Sequence, residues 1–151
     1  MALGLNFTAP LKQDPESQQA LQELIAVFPQ QVQPTIDAAL AESDLVHFAR
    51  ILVIDNKYLQ VLTEFDGDPM QYTEFFRTKL PLLFAKMFSL VEDAPPWEEL
   101  DNPNSFYEYT HSRNIPALGA STIVGYEHGY LFSAFGDTTV REIKKHLDLS
   151  S

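Results

Sequence analysis

The sequence predicts an α+β fold of the ferredoxin-like type: a βαββαβ order with an antiparallel sheet and an extra C-terminal helix, in one domain over residues 1–151. Three observations carry that expectation. Val46-His47-Phe48-Ala49-Arg50 opens a near-continuous apolar run to Ile54, which reads as a strand buried on both faces. The next run, Tyr58 to Phe65, alternates with period two and follows a turn at Asp55-Asn56-Lys57, so the two form a hairpin. Apolar stripes of helical spacing precede and follow that hairpin.

Taken in order, Gly4 to Leu11 reads as a first strand. Asp14-Pro15 is an N-cap followed by proline at the first helical position, and Leu21, Leu24, Ile25 and Phe28 make one apolar stripe. Pro29 ends or bends this helix, and a second piece spans about Gln30 to Ala41. In the hairpin, Leu59, Val61, Thr63 and Phe65 point one way, while Tyr58, Gln60, Leu62 and Glu64 point to a half-polar face. Asp68, with proline next and Gln71 three residues on, predicts a capping box that opens a helix divided at Pro81. The acidic, proline-rich stretch from Glu92 to Ser105 is a long connection of the kind used for lids or binding loops. A short helix follows from Ser105 to Ser112, then a last strand from Ile123 to Phe135, broken near Glu127-His128-Gly129. Thr139 and Glu142 form a second capping box, with Val140, Ile143 and Leu147 on one face of the terminal helix.

Such a sheet has helices on one face only. Because the strand at Val46 is apolar on both sides, its other face needs a cover. Packing the sheet on that of a second copy supplies one, so the expected architecture is a homodimer, a dimeric α+β barrel. The competing reading is a monomer that covers its own sheet with residues 92–127.

Composition narrows the function. Twenty-one acidic against ten basic residues leave a net charge of −11, which argues against nucleic acid or an anionic membrane as partner. The absence of cysteine excludes disulfides, thiolate nucleophiles and zinc-thiolate sites. Met1-Ala2-Leu3-Gly4-Leu5 has neither a basic region nor a long apolar one, so no secretory signal is expected, and a cytoplasmic location is the default. No glycine-rich phosphate loop, Gly-x-Ser-x-Gly elbow or metal-ligand spacing occurs.

Three blocks in this order resemble a known group. They are Val46-His47-Phe48-Ala49-Arg50, Phe65-Asp66-Gly67, and Phe132-Ser133-Ala134-Phe135-Gly136-Asp137-Thr138-Thr139-Val140-Arg141-Glu142-Ile143. Together they are similar to a largely uncharacterised group of bacterial proteins in the dimeric α+β-barrel superfamily. That superfamily also holds small monooxygenases, chlorite dismutases and dye-decolourising peroxidases. The resemblance implies the fold more strongly than a reaction; the activity it implies is oxidoreduction of a small hydrophobic substrate. Phe65-Asp66-Gly67 keeps only the ending of the longer haem-side motif of the dye-decolourising peroxidases. No histidine matches their haem ligand, so the cofactor stays unassigned. Leu118 to Glu127 reads as an insertion relative to shorter relatives.

The candidate catalytic residues are His47 and Arg50, with Gln60, Glu64, Asp66 and Trp97 as substrate-binding residues and no metal site. His47 and Arg50 have opposite parity, so hairpin register decides which one meets the carboxylates. A two-residue turn places His47 opposite Asp66. A three-residue turn places Arg50 opposite Leu62, beside Glu64, and sends His47 to the apolar side. On the functional reading the half-polar face lines a cavity in which the histidine or the arginine binds and polarises a small substrate, histidine being the common proton shuttle near neutral pH. On the other, His47 is a satisfied structural histidine and Arg50 a paired ion. Trp97, with Phe106, Tyr107 and Tyr109, is either an aromatic cover over the barrel mouth or a satellite cluster pinning the loop. His111, His128 and His146 read as surface, capping or helix-dipole residues. Two functions follow: a small-molecule binder or oxidoreductase, or a non-catalytic dimerising accessory module with a filled barrel core.

Overall fold

The computed structural model describes residues 2–123 and 129–148. Three strands form one antiparallel sheet: β1 (Leu3–Pro10), β2 (Val46–Ile54) and β3 (Tyr58–Phe65), in the spatial order β1-β3-β2. Two helices join β1 to β2: α1 (Pro15–Val27) and α2 (Gln33–Glu42), with one π-helical stretch at Phe28–Val32 between them. α1 thus ends just before Pro29, and a π-helical turn carries the chain past the proline, which lacks an N–H, into α2. Asp14 caps α1 through its side chain, which accepts from the Ser17 N–H at 2.9 Å.

The hairpin turn has three residues, Asp55 to Lys57, since Ile54 pairs with Tyr58 and Arg50 with Leu62. Asp55 and Asn56 both take positive φ, which these two residue types tolerate better than most. Side chains from the α1 region fasten the turn: Gln13 and Gln18 donate to the Asn56 carbonyl, and Gln22 donates to its side-chain oxygen.

Register divides the sheet into two faces. Leu5, Phe7, Ala9, Leu59, Val61 and Phe65 are buried on the inner face. The helices packed there are α3 (Pro69–Lys79), α4 (Pro81–Ser89) and α6 (Pro103–Ser112), with the short α5 (Trp97–Leu100) behind them. Asp68 caps α3 as expected, but its carboxylate accepts from Met70 N–H, and Gln71 does not close a capping box. Aromatic rings join these helices edge to face, Phe76 to Phe84 and Phe84 to Phe106, with Phe84 also meeting Phe88 within α4. Phe65 stacks on Tyr72 at 3.9 Å between centroids, and the Tyr72 hydroxyl is hydrogen-bonded to that of the buried Thr63.

The outer face carries Phe48, Arg50, Leu52, Ile54, Tyr58, Gln60, Leu62 and Glu64. Here the sequence expectation needs correction. β2 is not buried on both faces of this chain: exposure alternates along it, and Phe48 is 69% exposed.

The expected last strand also fails over the residues that can be described. Residues 124–128 lie outside the described part, and residues 129–135 form no strand. The free edge of β1 is met instead by the chain leaving α6. Thr8 N–H donates to Arg113 C=O, Ile115 N–H donates to Asn6 C=O, and the Asn114 side chain accepts from Asn6 N–H. A short antiparallel bridge at Asn114 thus occupies the position beside β1 where a fourth strand would pair. The final helix, α7 (Val140–His146), has the predicted capping box between Thr139 and Glu142.

Candidate functional site

A bulge decides what His47 does. Val46 pairs with Phe65 and Phe48 with Glu64, so His47 is one extra residue on β2 with no ladder partner. Bulges re-aim side chains, and this one turns the imidazole toward the end of β3. There His47 Nε2 lies 2.8 Å from Asp66 Oδ1. The structure therefore takes the three-residue turn yet still joins His47 to Asp66, a contact that the three-residue register does not make without the bulge. His47 does not join the apolar side.

Asp66 is held from three directions. Its N–H donates to Leu45 C=O at 2.8 Å, its Oδ1 faces His47, and its Oδ2 accepts from Val140 N–H at 2.7 Å. Its side chain is 8% exposed and that of His47 is 14% exposed. Gly67 follows with φ +81°, a left-handed turn that a Cβ would strain, and leads directly into the Asp68 cap. The blocks containing His47, Asp66 and Val140 thus meet at one point, with α7 tied to the sheet through Asp66.

The pairing also selects a tautomer. Facing a carboxylate acceptor, a neutral imidazole carries its proton on Nε2 and leaves Nδ1 as a lone-pair acceptor. No hydrogen-bond partner meets Nδ1 among the described residues. Such an imidazole can take a proton or accept a hydrogen bond from a bound molecule.

Beside this pair runs an apolar groove of about 560 Å³ between α7, the end of α2 and the start of β2. Leu40, Val46, Phe48, Val140, Ile143 and Leu147 supply its apolar walls, and His47 lies on its lining with Lys144 and His146. The α7 side chains were legible as an apolar stripe, but nothing in their spacing placed them next to His47. Lys144 was not foreseen at all; its ammonium donates to Ala41 C=O at 2.7 Å and to Ser43 C=O.

Other candidates lie elsewhere. Glu64 and Gln60 are on the outer face; Gln60 donates to Thr8 Oγ1 at 3.1 Å. Arg50 shares this face and is exposed, and it makes no ion pair with Glu64 among the described residues, though its field reaches that carboxylate. Burial pushes the Glu64 carboxyl above its ordinary range, against the opposing fields of Arg50 and His47, and its Oε2 is buried without a hydrogen bond. The sign of the pH effect follows. Below the unfolded value of about 4.5 both states hold the proton; as pH rises, the folded state must ionise a buried group, so stability is lost through the raised value. Glu64→Gln removes that loss. In thermal melts, its melting temperature relative to wild type should climb between about pH 4 and pH 7. A difference that stays constant across this range contradicts the assignment.

Trp97 is not with these residues. It packs edge-on against Phe106, 6.1 Å between centroids, on the helical side of the sheet. That is the loop-pinning arrangement, and the loop is further fastened by Arg77 to Asp101 and by Arg113 to Asp93. His111 stacks on Tyr107 of its own helix and bonds its carbonyl, and burial lowers its pKa. His128 lies outside the described residues, and His146 is exposed at the groove's end. Among the described residues no group of three His, Asp or Glu side chains is arranged to hold a metal, and no helix is long and apolar enough to cross a membrane. No family model, curated protein or solved structure matches the chain.

Proposed function

We propose that this chain is a small-molecule-binding protein that acts as a homodimer, taking a small hydrophobic ligand in the groove beneath α7. The observation that carries this reading is the imidazole of His47, oriented by Asp66, beside an apolar groove of about 560 Å³. A volume of that size suits a small organic molecule, and apolar walls with few polar groups are usual for such sites. His47 supplies a polar group on the groove's wall, with Nδ1 as the ring nitrogen that Asp66 does not engage. Asp66 fixes the ring and is not itself in contact with the ligand.

Support for the homodimer comes from the outer face of the sheet. Phe48, Leu52, Ile54 and Tyr58 are exposed there, with Arg50 between the first two, and apolar side chains left in water are costly. Packing two of these faces gives the dimeric barrel of the ferredoxin-like architecture, with the Arg113–Ile115 bridge in the place of a fourth strand. Phe48 belongs to both surfaces, so a partner sheet walls one side of the groove.

Light scattering and a titration with 1-decanol test the two halves together. The wild-type chain should be dimeric at micromolar concentration and Leu52→Arg monomeric. Amide shifts on adding the alcohol should concentrate at Val46, Val140 and Ile143. A wild-type monomer removes the dimer, and shifts confined to other surfaces remove the groove.

A further inference from the structure

The polar groups of the groove are unevenly placed, and that distribution names a ligand class. Its acidic lining residue, Glu142, is already committed: its carboxylate accepts from the N–H and hydroxyl of Thr139, and these bonds hold its pKa below the ordinary range. Farther along α7 stand Lys144, two residues on, and His146, one turn on. Lys144 donates two hydrogen bonds to carbonyls and has no carboxylate partner among the described residues, so one N–H and a full positive charge remain. In a chain of net charge −11, Lys144 thus places an ammonium with no carboxylate partner beside an apolar groove, a cation that balances the Glu142 charge there.

We propose that the groove takes an amphipathic monoanion, a carboxylic acid with an aliphatic or aromatic body. Its tail lies against Leu40, Val46 and Ile143, and its carboxylate is held by Lys144 with His146 beside it. The inference depends on the groove being a ligand site and adds the charge of the ligand. A charge-assisted hydrogen bond in a half-buried setting contributes roughly 1.5 kcal/mol or more, about tenfold in affinity.

Calorimetry on the full chain with decanoate, 1-decanol and decylammonium separates the possibilities. Decanoate should bind about tenfold more tightly than decanol, although the overall charge of the protein repels it. In the Lys144→Gln, His146→Gln double variant that gap should shrink to about threefold or less, decanoate losing more affinity than decanol even where loosening α7 weakens both. Should the double variant not fold, His146→Gln alone alters an exposed side chain and should narrow the gap in part. Equal affinity for acid and alcohol, or tightest binding of decylammonium, overturns the anion assignment and leaves the groove standing. No binding by any of the three overturns both.

Discussion

Replacing Asp66 with alanine should destabilise the protein by about 2–4 kcal/mol, the largest effect expected from any single polar substitution. Three structural elements converge on this carboxylate. Removing it leaves the His47 imidazole without its orienting partner and the Val140 N–H buried without an acceptor. For a chain of this length that corresponds to a fall in melting temperature of roughly 5–15 °C. Asp66→Asn separates the two bonds from the charge. Its Oδ1 can still accept from Val140, and its Nδ2 can donate to His47 Nε2 if the imidazole moves its proton to Nδ1. The asparagine variant should therefore recover more than half of the lost stability. Its histidine would now present a donor toward the groove instead of a lone pair. Urea unfolding of both variants, with ¹⁵N spectra of the imidazole, measures each part. A cost below about 1 kcal/mol for Asp66→Ala would show that α7 is not held through this residue.

The stability effect and the proposed function meet in the same residue. α7 packs on the sheet through few apolar contacts: Val140 is buried, Ile143 is partly so, and Leu147 is exposed. Its position is set by polar ties at its two ends, Asp66 to Val140 and Lys144 to the carbonyls closing α2. A helix attached at its ends leaves a groove along its length. The apolar groove is thus a consequence of how the helix is fastened, and loosening either tie should weaken ligand binding together with stability.

Much of this was legible in the residue order, and the parts that were not share a cause. β3 was readable because alternation places Val61 and Phe65 on one face and Leu62 and Glu64 on the other, and that pattern depends on nearest neighbours alone. The caps at Asp14, Asp68 and Thr139 are local for the same reason. The bulge at His47 is not local. It exists because β2 and β3 must fit two constraints, the three-residue turn at one end and the Asp66 contact at the other. Neither is encoded within Val46 to Arg50. The Asp66–Val140 bond spans 74 residues, beyond any spacing rule. Tyr130-Leu131-Phe132 has the composition of a strand, but a strand needs a free edge. The edge of β1 is taken by Arg113 and Ile115, so composition misled where pairing decided.

Phe106→Ala should cost about 3–5 kcal/mol, with a fall in melting temperature of roughly 6–20 °C. Phe106 is fully buried on α6 and meets Phe84 at 5.4 Å, Phe88 at 6.0 Å and Trp97 at 6.1 Å, so its removal opens a cavity among three rings. The same variant decides what Trp97 is for. If Trp97 pins the loop onto the helical layer, losing its aromatic neighbour Phe106 should red-shift its emission in the still-folded protein. As Trp97 is the chain's single tryptophan and does not line the groove, titration of the wild type with decanol should leave that emission unchanged. The two measurements pull apart the pinning role and the covering role assigned to this side chain. Ligand-dependent quenching, combined with a Phe106→Ala spectrum like that of the wild type, would return Trp97 to the binding site and move the site to the other side of the sheet.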